Sequence, residues 1–146
     1  MVFPAATTTT SYTVRKSDLR RHRWYARYVV EDTDHPAAVA WFNAPPDRLL
    51  TTDYIIDELL TLLKMRGYSE IAYTVGAPLI AGEVCKFQFV EPKDVIRAWV
   101  VFSTFRDKGW SFTDCVSRAV IERLNIKTVC AFDEHFRQFG NVSVVP

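Results

Sequence analysis

The chain has 146 residues, 49% of them hydrophobic and 14% aromatic. That is enough for one domain with a real core and excludes a disordered chain. Its 18 basic and 17 acidic side chains nearly cancel to a formal charge of +1, so any grip on nucleic acid must be local.

Residues 1–16 are rich in threonine and weakly patterned, and "TSYTV" is either a strand or a loose extension. No basic region precedes an apolar one there, so the segment is not read as a signal peptide. "WYARYVV" (24–30) reads as a short buried helix or strand. Asp34 is placed as an N-cap, with Pro36 in the first turn of the helix that follows. "APPDR" is a break and "LLTTD" a short strand. "DYIIDELLTLLKMRG" is an amphipathic helix, with Lys64 and Arg66 near its end and Gly67 as its stop. "SEIAYTVGAPLIAG" is helical, disturbed at Gly76 and Pro78. "KFQFVE" alternates as a strand. "PKDVIRAWVVFSTFRDKG" is a long helix running from Pro to Gly, and "SFTDCVSRAVIERLN" is another, opened by Ser111. "KTVCAF" is a buried strand, "DEHFRQFG" one or two helical turns, and "VSVVP" a final strand.

Strands alternating with helices predict an α/β domain of three layers around a mostly parallel sheet. No apolar run is long enough to cross a bilayer. Cys85, Cys115 and Cys130 lie in apolar runs without CxxC spacing. That argues against a disulfide framework or zinc site and for small core residues in a reducing cytosol.

Open parallel sheets bind ligands beyond the carboxyl ends of their strands. Three acids are placed to reach such a crevice: Glu58 in the helix after "LLTTD", Asp114 in the first turn after "GWSFT", and Asp133 directly after "KTVCAF". Converging carboxylates repel unless a cation sits between them. Mg²⁺ and Mn²⁺ prefer oxygen ligands and promote phosphodiester cleavage. Each acid also has a structural reading. Asp114, three after Ser111, completes a capping box and suits the helix dipole. Asp133 could cap "EHFRQF". Glu58 could be a solvated helix former.

"LLTTDYIIDELLTLL", "FRDKGWSFTDCVSRAVIERLNI" and "TVCAFDEHFRQFG", in that order, resemble a PIN-domain ribonuclease, most of all the toxins of VapBC toxin–antitoxin pairs. The resemblance runs from about Trp24 to the C-terminus. It implies an α/β sandwich whose acids hold Mg²⁺ or Mn²⁺, and cleavage of single-stranded RNA by a metal-activated water. It further implies a homodimer and a blocking antitoxin. Carried over by position, Glu58, Asp114 and Asp133 are the catalytic and metal-binding acids. Ser111 and Thr113 stand beside the site, either as hydroxyl partners or as helix-start residues. Arg118, with Arg106 and Lys108, is near enough in sequence to meet RNA, and His135 is either an RNA contact or a surface side chain.

The family pattern opens with a buried strand ending in a metal-anchoring Asp. Counting back from Trp24, that Asp falls at Arg20 or Arg21 and the strand at "SDLRR". Unpaired buried arginines are costly. The chain therefore divides into an atypical segment 1–23 and a PIN-like domain 24–146. Codons can be chosen for Asp18–Arg23 that, shifted by one base, read Ile-Phe-Val-Asp-Thr, so the segment could be out of frame with an ancestral sequence. "TSYTV" could otherwise replace the strand without supplying the Asp. Two functional readings remain: a metal-dependent nuclease, or an impaired PIN fold that binds RNA or protein through its arginine run.

Overall fold

A computed structural model describes residues 13–15, 23–43, 49–126, 128–130 and 143–145. Five parallel strands form one sheet in the order β3-β2-β1-β4-β5. They are β1 (Thr13–Arg15), β2 (Leu49–Thr52), β3 (Lys86–Gln88), β4 (Thr128–Cys130) and β5 (Ser143–Val145). Among the described residues six helices lie between them: α1 (Arg23–Tyr28), α2 (His35–Asn43), α3 (Asp53–Met65), α4 (Ser69–Ile80), α5 (Pro92–Thr104) and α6 (Phe112–Leu124). The expected three-layer α/β domain with a parallel sheet is present.

The central strand comes from the threonine-rich segment. Val14 pairs with Leu50 on one side and Val129 on the other. "WYARY" is a helix, in which Trp24, Tyr25 and Ala26 are buried. The ring nitrogen Nδ1 of His35 lies 2.6 Å from the Ala26 carbonyl and ties α2 to α1. Residues 16–22, with Arg20 and Arg21 of the arginine run, lie outside the described residues, while Arg23 opens α1.

The remaining elements follow local signals. Thr52 caps α3, its Oγ1 accepting from the Ile55 N–H at 3.3 Å. Ile55, Ile56, Leu59 and Leu63 then fall on one buried face, as a 3.6-residue repeat requires. Full burial of a side chain such as Leu59 contributes about 1.5–3 kcal/mol. α3 ends before Gly67, whose φ of 84° is the left-handed conformation that glycine adopts without a Cβ penalty. α4 continues through Gly76 and Pro78. A Cβ at Gly76 would stand 3.3 Å from both Leu60 methyls, so the missing side chain lets α3 and α4 approach closely.

The chain moves from β1 outward to β3, then returns across the sheet to β4. The direction of winding therefore changes between β1 and β4, and the ligand crevice of such a sheet lies at that switch, beyond the carboxyl ends of the strands. α3 starts at this end, directly after β2, and α6, which leads down into β4, has its N-terminus there as well.

Candidate active site

Asp114 is 3% exposed and stands in the first turn of α6. Its Oδ2 accepts from the Ser111 N–H at 2.8 Å, and Ser111 Oγ accepts from the Asp114 N–H at 3.1 Å. This reciprocal pair satisfies two backbone donors that a helix start leaves open. The capping reading of both residues is thus realised, and it holds the carboxylate in one orientation at the positive end of the helix dipole. Thr113 beside it is half-buried.

Glu58 is half-buried on the second turn of α3, beside the exposed Asp57. Asp53 is nearer the strand end than Glu58, but its Oδ1 accepts from the Val90 N–H at 2.9 Å and anchors the turn between β3 and α5. Asp133 and His135 lie outside the described residues. Among the described residues, no three acidic, histidine or cysteine side chains form a group able to hold an ion.

The donor chemistry of the acids nevertheless suits a hard cation. Glu58 and Asp114 offer carboxylate oxygens, the ligands that Mg²⁺ and Mn²⁺ take. A second observation points the same way. Ser117, three residues after Asp114 and so on the same face of α6, is fully buried, and its Oγ has no hydrogen-bond partner among the described residues. Thr51 Oγ1, at the end of β2, is buried in the same condition. Buried hydroxyls are normally satisfied, so each of these has hydrogen-bonding capacity to spare for a water.

The orientation of α6 is set by a clasp that sequence reasoning missed. Asp94 is 2% exposed, and its two oxygens accept from Arg123 Nε and Nη2, both at 2.8 Å. Asp94 Oδ2 also accepts from the Glu91 N–H at 2.9 Å, capping α5, and Arg123 Nη1 reaches Glu91 at 2.8 Å. Burial pushes the Asp94 carboxyl upward. The Arg123 and backbone hydrogen bonds, with the charges of Arg123 and Lys93, outweigh it and hold the group below its ordinary 3.8. The Arg123 guanidinium is raised by the same bond. "EPKD" carried the signal for the cap, but no local pattern names a partner 29 residues away.

At its other end the α5–α6 pair is joined by aromatic rings. Phe102 meets Phe112 edge-on at 5.7 Å, and Phe105 meets Trp110 at 5.4 Å. The Arg118 guanidinium lies 5.8 Å from the Trp110 ring centre and 5.9 Å from that of Phe105, while its Nε donates to Glu122. Arg118 is therefore packed beside the start of α6. Lys108 sits 3.6 Å from Asp107, and Arg106 Nε donates to the Ser103 carbonyl.

The switch-point sheet and the buried acid at a helix start define a small α/β domain with a crevice at the strand ends. A family model described as "PIN domain" matches residues 25–142, and the chain belongs to that family. It is 27% identical over 123 residues to the "23S rRNA-specific endonuclease VapC20" of Mycobacterium tuberculosis, covering 84% of this chain and 93% of that protein. It is 28% identical over 118 residues to a "VapC ribonuclease" of Archaeoglobus fulgidus, covering 77% of this chain and 74% of the relative. The crystal structure of the mycobacterial VapC20, described as a sarcin–ricin loop cleaving toxin, superposes with a TM-score of 0.80 at 26% identity. That match covers 93% of this chain and all of the other. The resemblance to PIN-domain VapC toxins is thereby confirmed.

Proposed function

We propose that this chain is a Mg²⁺- or Mn²⁺-dependent endoribonuclease of the VapC toxin type, acting on single-stranded RNA. The observation that carries this is the buried, oriented Asp114 at the start of α6, in a chain similar to two VapC nucleases over most of its length. Glu58, Asp114 and Asp133 would hold the ion. When bound, such an ion activates water and offsets the charge that develops on a phosphate. The chain's own part is to fix those carboxylates. Ser111 holds Asp114, and the Asp94–Arg123 clasp holds α6. In this reading the Ser117 hydroxyl would hydrogen-bond a water in the site, and Arg118 and Thr113 would contact the RNA.

A cognate antitoxin and a homodimer belong to the same proposal. Ile96, Trp99 and Val100, spaced i, i+3, i+4 on α5, form an exposed apolar face that supports self-association. Burial of Cys85 and Cys115 as small core residues fits a reducing, cytosolic setting. The segment 1–23 remains proposed as atypical relative to a PIN-like unit 24–146.

The direct test is incubation of the purified chain with single-stranded RNA, and with 23S rRNA as the relative's substrate, in Mg²⁺, Mn²⁺ or chelator. Cleavage in metal and none in chelator is expected. Cleavage undiminished by chelator would overturn the proposal.

A further inference from the structure

The sharp turn between α5 and α6 encloses a cleft of about 410 Å³, lined by Phe102, Phe105, Arg106, Lys108, Trp110 and Cys115, with Gly109 in the turn. Its size is in the range of ~300–1,000 Å³ that holds small organic ligands. Three aromatic rings supply its walls. Trp110 is 7% exposed and forms a fixed floor, whereas Phe102 and Phe105 remain about 40% exposed, at 40% and 39%. That leaves aromatic surface facing the cleft. Two cations, Arg106 and Lys108, stand on the rim, and the Arg118 guanidinium backs the Phe105 and Trp110 rings. Asp107, bonded to Lys108, is an acid in the same turn, so the rim keeps a positive balance.

Aromatic walls with a cationic rim match an unstacked nucleotide better than a purely apolar ligand. Single-stranded RNA is recognised by bases that leave the stack and lie on aromatic rings while basic side chains follow the phosphates. The cleft is also tied to the candidate active site by the chain itself. Cys115 in its lining is the residue after Asp114, and Trp110 immediately precedes the capping Ser111.

We infer that this cleft is a base-binding subsite. One unstacked base of the single-stranded RNA lies on the exposed face of Phe105, which itself packs against Trp110 at 5.4 Å, and the flanking phosphates lie on Arg106 and Lys108. The inference rests on the ribonuclease reading and deepens it, by naming the residues that would select which nucleotide is presented near Asp114.

Binding is measured separately from cleavage, on the full chain in chelator, with a fluorescent RNA of about ten nucleotides. Phe105→Leu keeps an apolar side chain but removes the stacking face, and should weaken binding about tenfold. Phe105→Tyr should bind like wild type. An abasic site moved along the RNA tests the cleft without altering the protein: at one position wild type should lose about tenfold, and Phe105→Leu should lose nothing further there. Arg106→Gln and Lys108→Gln should each lower the salt slope of binding by about 0.7.

Wild-type affinity indifferent to every abasic position would overturn the inference. So would a folded Phe105→Leu that binds and cuts RNA like wild type, which would assign the cleft to a protein partner. In both cases metal-dependent cleavage by wild type would leave the ribonuclease reading standing. A wild-type chain that neither binds nor cuts RNA would overturn both.

Discussion

Asp114→Asn separates the two roles of this carboxylate. The amide oxygen of asparagine can still accept from the Ser111 N–H, now made at 2.8 Å, and the Ser111 Oγ bond to the backbone of residue 114 is untouched. What is lost is the charge at the helix start, about 0.3–1 kcal/mol of dipole stabilisation. Burying a neutral amide in place of a 3%-exposed carboxylate offsets part of that. The melting temperature should therefore move by no more than about 3 °C in a chain of this size. The catalytic effect should be much larger. Outer groups that merely support a metal ligand cost about 10–100-fold when changed, so losing a carboxylate ligand should cost at least about 100-fold in Mn²⁺-dependent RNA cleavage. Asp114→Ala provides the contrast. It leaves the Ser111 N–H without its acceptor, at about 1–3 kcal/mol, and should lower the melting temperature as well as abolish cleavage. The assays are gel-resolved cleavage of single-stranded RNA and a thermal melt of each variant. If Asp114→Asn cuts within about threefold of wild type, Asp114 is a helix cap alone and the assignment of the site fails.

Removing Arg123 tests the clasp: Arg123→Met leaves the Asp94 carboxylate buried and unpaired, and should destabilise the fold by about 3 kcal/mol, read as a lower urea midpoint. The same pair should make stability depend on acid. Because the folded Asp94 carboxyl lies below its ordinary 3.8, its contribution is complete above about pH 4 and is lost as pH falls through and below that value. Urea titrations in that window should show wild type losing stability more steeply than an Asp94→Asn/Arg123→Met double variant, and parallel losses would refute it. In the arginine run, Arg20→Asp or Arg21→Asp should raise Mn²⁺-dependent cleavage if a first-strand acid is missing there; unchanged cleavage with unchanged RNA affinity would favour the binding-module reading. Sequencing the coding DNA over Asp18–Arg23 tests the frame hypothesis, which fails if the shifted frame lacks Ile-Phe-Val-Asp-Thr.

Much of the fold was legible because its signals act over three or four residues. The cap at Ser111 and the stop at Gly67 each concern neighbours in the chain, and each is found where its pattern points; the expected strand "KFQFVE" is a strand only over Lys86–Gln88, because the chain then turns to Glu91, the N-cap of α5. The helix "WYARY" could not be told from a strand, because a short apolar run carries too few periods to distinguish the two. For the candidate site, the position of Asp114 at a helix start was readable, but its burial was not. A capping acid is usually solvent-exposed, and only the packing of α6 against α5 and α3 removes this one from water.

The amino-acid sequence by itself determined most of the elements from Leu49 onward, the cap at Ser111 and the stop at Gly67, and the residues that resemble a PIN nuclease. Hydrogen bonds to adjacent turns and the 3.6- and 2-residue periods are properties of short segments. The tertiary structure decided that Thr13–Arg15 forms the central strand, that Asp94 finds Arg123, and that Phe102, Phe105 and Trp110 meet around a cationic rim. The first two join segments far apart in the chain, and the third brings together rings that flank one turn between packed helices. Their partners are selected by the burial and charge neutralisation that only the assembled sheet and helices provide.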